Sequence, residues 1–251
     1  MRSKVLKLLA GVSLLSLTAL GAVPAGASPA NIVQNGSFLN GTHSPGSFVD
    51  LNPTSGTQIS DWTVSSGTVD WIGSYWTTPN NGYSVDLNGI NPGAISQTLS
   101  TVPGATYVVS FSLAGNFDNI YYSEYTNLSS QTTKSTTVSA TGNPSGNYAA
   151  TYFSGWGHSS MGWQTETYQF TATGNSTTLT FAGDPTAGGW GPVISAVSAY
   201  ELVASSGAQC KDGGWQMYSN PTTLQPFVNQ GMCVSYFATA GDVPIGSANS
   251  H

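Results

Sequence analysis

The side chains best able to do chemistry in this chain are aromatic. Trp71, Tyr75 and Trp76 lie close together, with Asp70 before them and Asn80-Asn81 just after. Sugar rings stack on Trp and Tyr faces while Asn, Asp and Gln read ring hydroxyls, so this grouping points to carbohydrate recognition. Tyr121, Tyr122, Tyr125, Trp156 and Trp190 fall in irregular stretches, which places them toward the surface. The candidate ligand-binding set is therefore Trp71, Tyr75, Trp76, Tyr121, Tyr122, Trp156 and Trp190. Large aromatics are also highly buried on average, and the competing reading puts Trp62, Trp71 and Trp163 in the core or beneath loops.

Catalysis finds little to work with. The histidines are His43, His158 and His251, and no G-x-S-x-G nucleophile motif occurs. Asp70, Asp86, Asp118, Glu124 and Glu166 could supply the two carboxylates of a glycosidase, but any folded chain of this size offers such pairs. No catalytic residue is assigned. Asp86 and Asn88, and likewise Asn116, read better as turn formers that hydrogen-bond nearby backbone.

The charge narrows the partners. Arg2, Lys4 and Lys7 precede an apolar run from Leu8 to about Val23, and Ala25-Gly26-Ala27 follows as a small-residue cleavage site. This pattern reads as a signal peptide over residues 1–27, with Ser28 as the new N-terminus; the alternative is an uncleaved anchor. Beyond the leader only Lys134 and Lys211 stand against 11 acidic residues, with no arginine. Such a chain lacks the basic footprint that nucleic acid requires, and anionic membranes and polyanions are disfavoured for the same reason. No later stretch is long and apolar enough to span a membrane. Cys210 and Cys233 most simply form one disulfide in an exported protein, the alternative being two free thiols, and their surroundings do not supply a zinc site.

The elements that must position these residues read as all-β. Short alternating runs are broken by Gly, Pro, Asn and Ser, and no convincing helical period follows the leader. The clearest strand is Thr106–Leu113, with Tyr107, Val109, Phe111 and Leu113 on one face. Further strands are expected at Ile32–Phe38, Ile59–Val64, Thr68–Ile72, Tyr83–Leu87, Ala94–Leu99, Thr165–Ala172, Thr177–Phe181 and Val193–Leu202. From Asn116 to about Ser160 the pattern weakens, leaving room for one or two strands. Residues 28–203 form the expected β-sandwich, and Ala204-Ser205-Ser206-Gly207 reads as a linker into a cysteine-paired tail over 204–251.

Several motifs occur in order: Asn35-Gly36-Ser37-Phe38, Ile59-Ser60-Asp61-Trp62, Val69-Asp70-Trp71-Ile72-Gly73-Ser74-Tyr75-Trp76, Ser84-Val85-Asp86-Leu87-Asn88-Gly89, Pro92-Gly93-Ala94-Ile95-Ser96-Gln97-Thr98 and Phe111-Ser112-Leu113-Ala114-Gly115-Asn116. Met161-Gly162-Trp163 and Trp190-Gly191-Pro192-Val193-Ile194 continue the pattern. Over about residues 31–203 the chain resembles the choice-of-anchor C proteins, bacterial secreted relatives of the plant cell-wall DUF642 proteins. The resemblance implies a galactose-binding-like jelly roll, an extracellular or cell-wall setting and no established catalysis. Many relatives carry acids where this chain has Leu39 and Ser195, so no calcium is expected there, and no other metal or cofactor is implied. The tail also resembles short cysteine-paired tails of secreted bacterial proteins; its disulfide would pin Trp215 against Phe227 and Tyr236.

Together these features favour a secreted, non-catalytic module for a neutral or weakly charged cell-wall or matrix polysaccharide. A structural or adhesive surface protein that contacts other proteins is the second reading, and a polysaccharide hydrolase the third.

Overall fold

The computed structural model describes residues 29–55, 58–120 and 131–240. The expected signal peptide, Tyr121, Tyr122 and Tyr125 lie outside these residues. Among the described residues, eleven strands form two antiparallel sheets. The first has six: β1 (Phe48–Leu51), β3 (Val69–Ile72), β4 (Ser84–Asp86), β11 (Pro192–Glu201), β6 (Thr106–Gly115) and β9 (Gln164–Thr171), in that spatial order. The second runs β2 (Thr63–Ser66), β5 (Ala94–Ser100), β10 (Ser176–Ala182), β7 (Thr133–Ala140) and β8 (Gly146–Thr151). The result is the all-β jelly-roll sandwich expected.

Alternation decides what lies between the sheets. Tyr107, Val109, Phe111 and Leu113 of β6 meet Ile95, Leu99, Val138, Leu179 and Phe181 of the facing sheet in one buried cluster. Phe111 and Phe181 meet edge to face at 5.1 Å between centroids.

Two expected strands differ from what forms. Residues 32–38 make a turn rather than a strand: Asn35 and Phe38 take positive φ, and Phe38 N–H donates to Asn35 O. Their neighbours' backbone needs are met elsewhere, with Ile32 N–H bound to Ala199 O and Gln34 N–H to the Gln97 side chain. Ile59–Trp62 likewise turns, with Asp61 at φ 67°, so β2 begins at Thr63. β1 had no counterpart in the sequence reading, while β7 and β8 fill the weakly patterned stretch.

The tail contains α1 (Gln230–Ala240), a helix the sequence reading missed. Asn229 caps it, its side-chain oxygen accepting from Met232 N–H at 2.8 Å. Cys210 and Cys233 are disulfide-bonded, and with Ala204, Phe227 and Phe237 they form a separate small core against which Trp215 and Tyr236 pack. Ala204–Gly207 is not an extended linker. Ala204 is buried, its N–H donates to Ser219 O, and Ser205 and Ser206 donate to the Gln209 side chain. Lys134, one of the two lysines beyond the leader, is fully buried.

Candidate functional site

The outer face of the six-stranded sheet carries the chemistry. Val69 and Trp71 of β3 point into the main core, so the pleat turns Asp70 and Ile72 outward. Register then fixes their neighbours: Phe48 pairs with Ile72, Asp50 with Asp70, and Asp70 with Asp86. Above this face, Ile72, Trp76, Ala114, Met161 and Val193 form a second apolar cluster, with Tyr75 and Trp163 against it.

A cleft of about 170 Å³ opens beside that cluster, walled by Phe48, Tyr75, Trp76 and Trp190. Asp70, Asn116 and Asp118 supply its polar edge. That volume falls below the roughly 300–1,000 Å³ of drug-sized pockets, and suits one ring held against a wall. Phe48 and Tyr75 meet edge to face at 5.5 Å.

Each acid in the region has a different environment. Asp118 is held by Tyr75, whose hydroxyl donates to Oδ2 at 2.9 Å, and by His158 at 2.8 Å to Oδ1. An ionised carboxylate only accepts, so this contact places a hydrogen on His158 Nε2. The Tyr75 and His158 rings lie 4.4 Å apart, and Thr77 N–H donates to His158 O, tying the 73–77 loop to the 156–160 segment.

Asp86 is fully buried and accepts from the N–H groups of Asn88 and Gly191 and from Asn116 Nδ2. Burial pushes its pKa well up, with these donors opposing and the Asp70 charge adding. Asn116 Oδ1 accepts from Asp118 N–H, so one side chain orients both acids. The turn-forming roles read for Asp86 and Asn116 are seen here, each accepting from the N–H two residues on, whereas the Asn88 side chain reaches across to the backbone of Asp184 and Gly188.

Asp70 differs. Burial first, then the charge of Asp50 and a hydrogen bond with it, raise its pKa to about 7. Among the described residues no N–H donates to it. Gly89 covers the Asp50–Asp70 pair so closely that a Cβ there would sit 2.4 Å from Asp50 Oδ2 and 3.2 Å from Asp70 Oδ1. Lys134 reaches neither acid through a hydrogen bond. It donates to Gln131 at 3.1 Å, and burial lowers its pKa to about 8 against the pull of Asp86 and Asp184.

The expected ligand-binding aromatics are thus distributed over three settings. Tyr75, Trp76 and Trp190 line the cleft. Trp76 shows the cleft little of its surface, being 5% exposed with its indole N–H bound to Ser84 Oγ at 2.8 Å. Trp156 lines an adjoining narrow crevice with Phe117 and Met161, its ring seated over Gly162, where a Cβ would lie 2.3 Å from the indole. Trp71 is a correction: it is fully buried, its N–H donates to Phe38 O at 3.0 Å, and it offers no face to a ligand. Tyr121 and Tyr122 fall outside the described residues. Phe48 went unnoticed because it breaks the alternation of Val49-Asp50-Leu51, an apolar residue on the same outward face as Asp50.

Sandwich and cleft together define a β-sandwich protein with an aromatic, acid-edged depression on one sheet. The chain belongs to the DUF642 family, described as proteins of unknown function, and matches it over residues 31–199. It is also 31% identical over 179 residues to halomucin of Haloquadratum walsbyi, a match taking in 68% of this chain and 2% of halomucin. Among solved structures it is similar to an arabinose-bound α-L-arabinofuranosidase, with TM-score 0.45, 12% identity, and coverage of 71% of this chain and 27% of that one. A carbohydrate-binding module in complex with β-1,4-galactotriose gives TM-score 0.39 and 14% identity, covering 68% and 99% of the two chains. A family 35 carbohydrate-binding module from Clostridium thermocellum gives 0.37 and 15%, covering 61% and 98%. None of these likenesses assigns a ligand to this chain.

Proposed function

We propose that this chain is a non-catalytic carbohydrate-binding module that acts outside the cytoplasm on a hydroxyl-rich wall or matrix polysaccharide, in the manner of a choice-of-anchor C protein. The observation that carries the reading is the cleft, where aromatic walls from Phe48, Tyr75 and Trp190 meet the polar groups of Asp70, Asn116 and Asp118. Aromatic faces take the apolar side of a sugar ring while carboxylate and amide oxygens accept its hydroxyls. The Cys210–Cys233 disulfide and the leader read in the sequence support an extracytoplasmic setting. Strong surface cations are scarce, which disfavours polyanionic chains such as sulfated glycans.

The test is a glycan array and an insoluble-polysaccharide pull-down with the chain from Ser28, run with and without EDTA. Saturable, selective retention that survives EDTA is expected. Clean absence of retention across wall polysaccharides would overturn the reading in favour of a structural or adhesive role.

A further inference from the structure

Asp70 is a carboxyl held at a disadvantage. Three other acids of the sandwich are well supplied with donors. Asp86 accepts three hydrogen bonds, Asp118 is held by Tyr75 and His158, and Asp184 by the backbone and hydroxyls of Ser135 and Thr186. Asp70 lines the cleft with only the Asp50 carboxyl as its hydrogen-bonding neighbour among the described residues. Two acids and no base stand among the cleft's lining residues. Among the described residues the two lysines do not supply the missing cation: Lys134 is buried and bound to Gln131, and Lys211 lies in the disulfide-closed tail.

What would relieve such a group is a positive charge brought in from outside. Neighbouring walls suit one, since ammonium groups are attracted to the faces of Tyr and Trp and Asp70 sits among Phe48, Tyr75 and Trp190. A neutral hydroxyl can donate one hydrogen bond to Asp70, but it leaves the repulsion from Asp50 in place. An ammonium offsets both the repulsion and the burial.

We propose that the cleft takes the ammonium group of a protonated amino sugar, a hexosamine unit whose nitrogen carries no acetyl group, with Asp70 as its counter-ion. This rests on the carbohydrate reading above and narrows it from hydroxyl-rich chains in general to chains with de-N-acetylated units. The raised pKa of Asp70 agrees with it, because a cavity that disfavours an unpaired carboxylate favours whatever cation pairs with it.

The test compares a β-1,4-linked glucosamine hexamer with its fully N-acetylated counterpart by calorimetry at about pH 7, where Asp70 is about half ionised and pairing it with an ammonium needs little net proton exchange. Wild type is set beside Asp70→Asn and Asp212→Asn. Asp212 lies in the tail, away from the cleft, so Asp212→Asn controls for the loss of nonspecific attraction of a cationic oligomer while leaving the cleft unchanged. Wild type and Asp212→Asn are expected to bind the glucosamine hexamer at least about tenfold more tightly than the acetylated one, as for a charge-assisted hydrogen bond. Asp70→Asn is expected to lose that preference while melting no lower than wild type. Equal binding of the two oligomers, preference for the acetylated one, or equal loss in the two variants would overturn the amine assignment and leave the carbohydrate reading standing. Should neither oligomer bind while other polysaccharides are retained, the amine assignment fails alone; if no glycan is retained at all, both fail.

Discussion

Asp70 links the stability of this protein to its candidate site. Its folded pKa of about 7 lies above the ordinary 3.8, so between those values the folded state holds a proton that the unfolded chain has released. Stability from this group therefore falls as pH rises from about 4 to 7, and the full penalty stands above pH 7. Asn at this position resembles the protonated acid, so Asp70→Asn is expected to leave the melting temperature almost unchanged at pH 4 and to raise it at pH 8. After discounting for its partial exposure, the gain is on the order of 2 kcal/mol, or about 4–8 °C. A melt at both pH values checks this; equal shifts at the two would contradict it. The sequence showed Asp70 next to an aromatic group but not its isolation, because that depends on Asp50 arriving from another strand. Burial is equally invisible from composition: Trp71 and Trp76 look alike in sequence, but β3 carries Trp71 into the main core while the loop after β3 brings Trp76 to the cleft edge.

At the scale of elements, alternation made most of the sandwich legible. β6 was placed nearly to its ends, and β3, β5, β9, β10 and β11 close to theirs, because each has a drier face and a wetter one; β4, buried throughout, was placed by its Ser-Val-Asp alternation instead. The failures share a cause, which is that apolar residues also pack from turns. Phe38 and Trp62 are buried yet belong to no strand, and they touch each other at 5.3 Å. The turn at residues 32–38 is fixed by a close approach to β11. A Cβ on Gly36 would fall 1.8 Å from Val197 O, at the irregularity between Ser195 and Ser198 where Ala196 takes φ 50°. Gly36→Ala is therefore expected to destabilise the sandwich by about 2–3 kcal/mol, since backbone and not a flexible side chain must move. Chemical denaturation measures the change, and a loss below about 0.5 kcal/mol would mean that the approach relaxes freely. Helix α1 escaped detection because its apolar residues make no continuous stripe. Asn229 followed by an apolar-containing run was the available signal.

For the whole molecule, the tail has a core of its own joined to the sandwich by a short backbone ladder. Ser219 N–H donates to Leu202 O and Ala204 N–H to Ser219 O. Its small apolar cluster depends on the cross-link, whose partners are separated by 23 positions. A loop of that length contributes on the order of 3 kcal/mol by restricting the unfolded chain. Replacing both cysteines with serine is expected to loosen the tail, raising amide exchange across Gln230–Ala240, while the sandwich keeps its main thermal transition. Loss of the main transition would show that the two cores fold as one. The disulfide was legible from the cysteine count and the expected export, whereas the cleft was legible only in part. Its aromatics come from two regions of sequence, and the missing wall, Phe48, comes from a third.

On the proposed reading, the cleft on the six-stranded sheet is where a polysaccharide binds. The most direct measurement is retention on insoluble wall polysaccharides, comparing wild type with Trp190→Ala after both are shown to melt within a few degrees of each other. Trp190 is half-buried at the cleft wall, so its removal takes away a stacking face with little loss of core. Retention of the wild type that falls about tenfold or more in Trp190→Ala is the predicted result. Equal retention of the two proteins would place binding elsewhere and contradict the account.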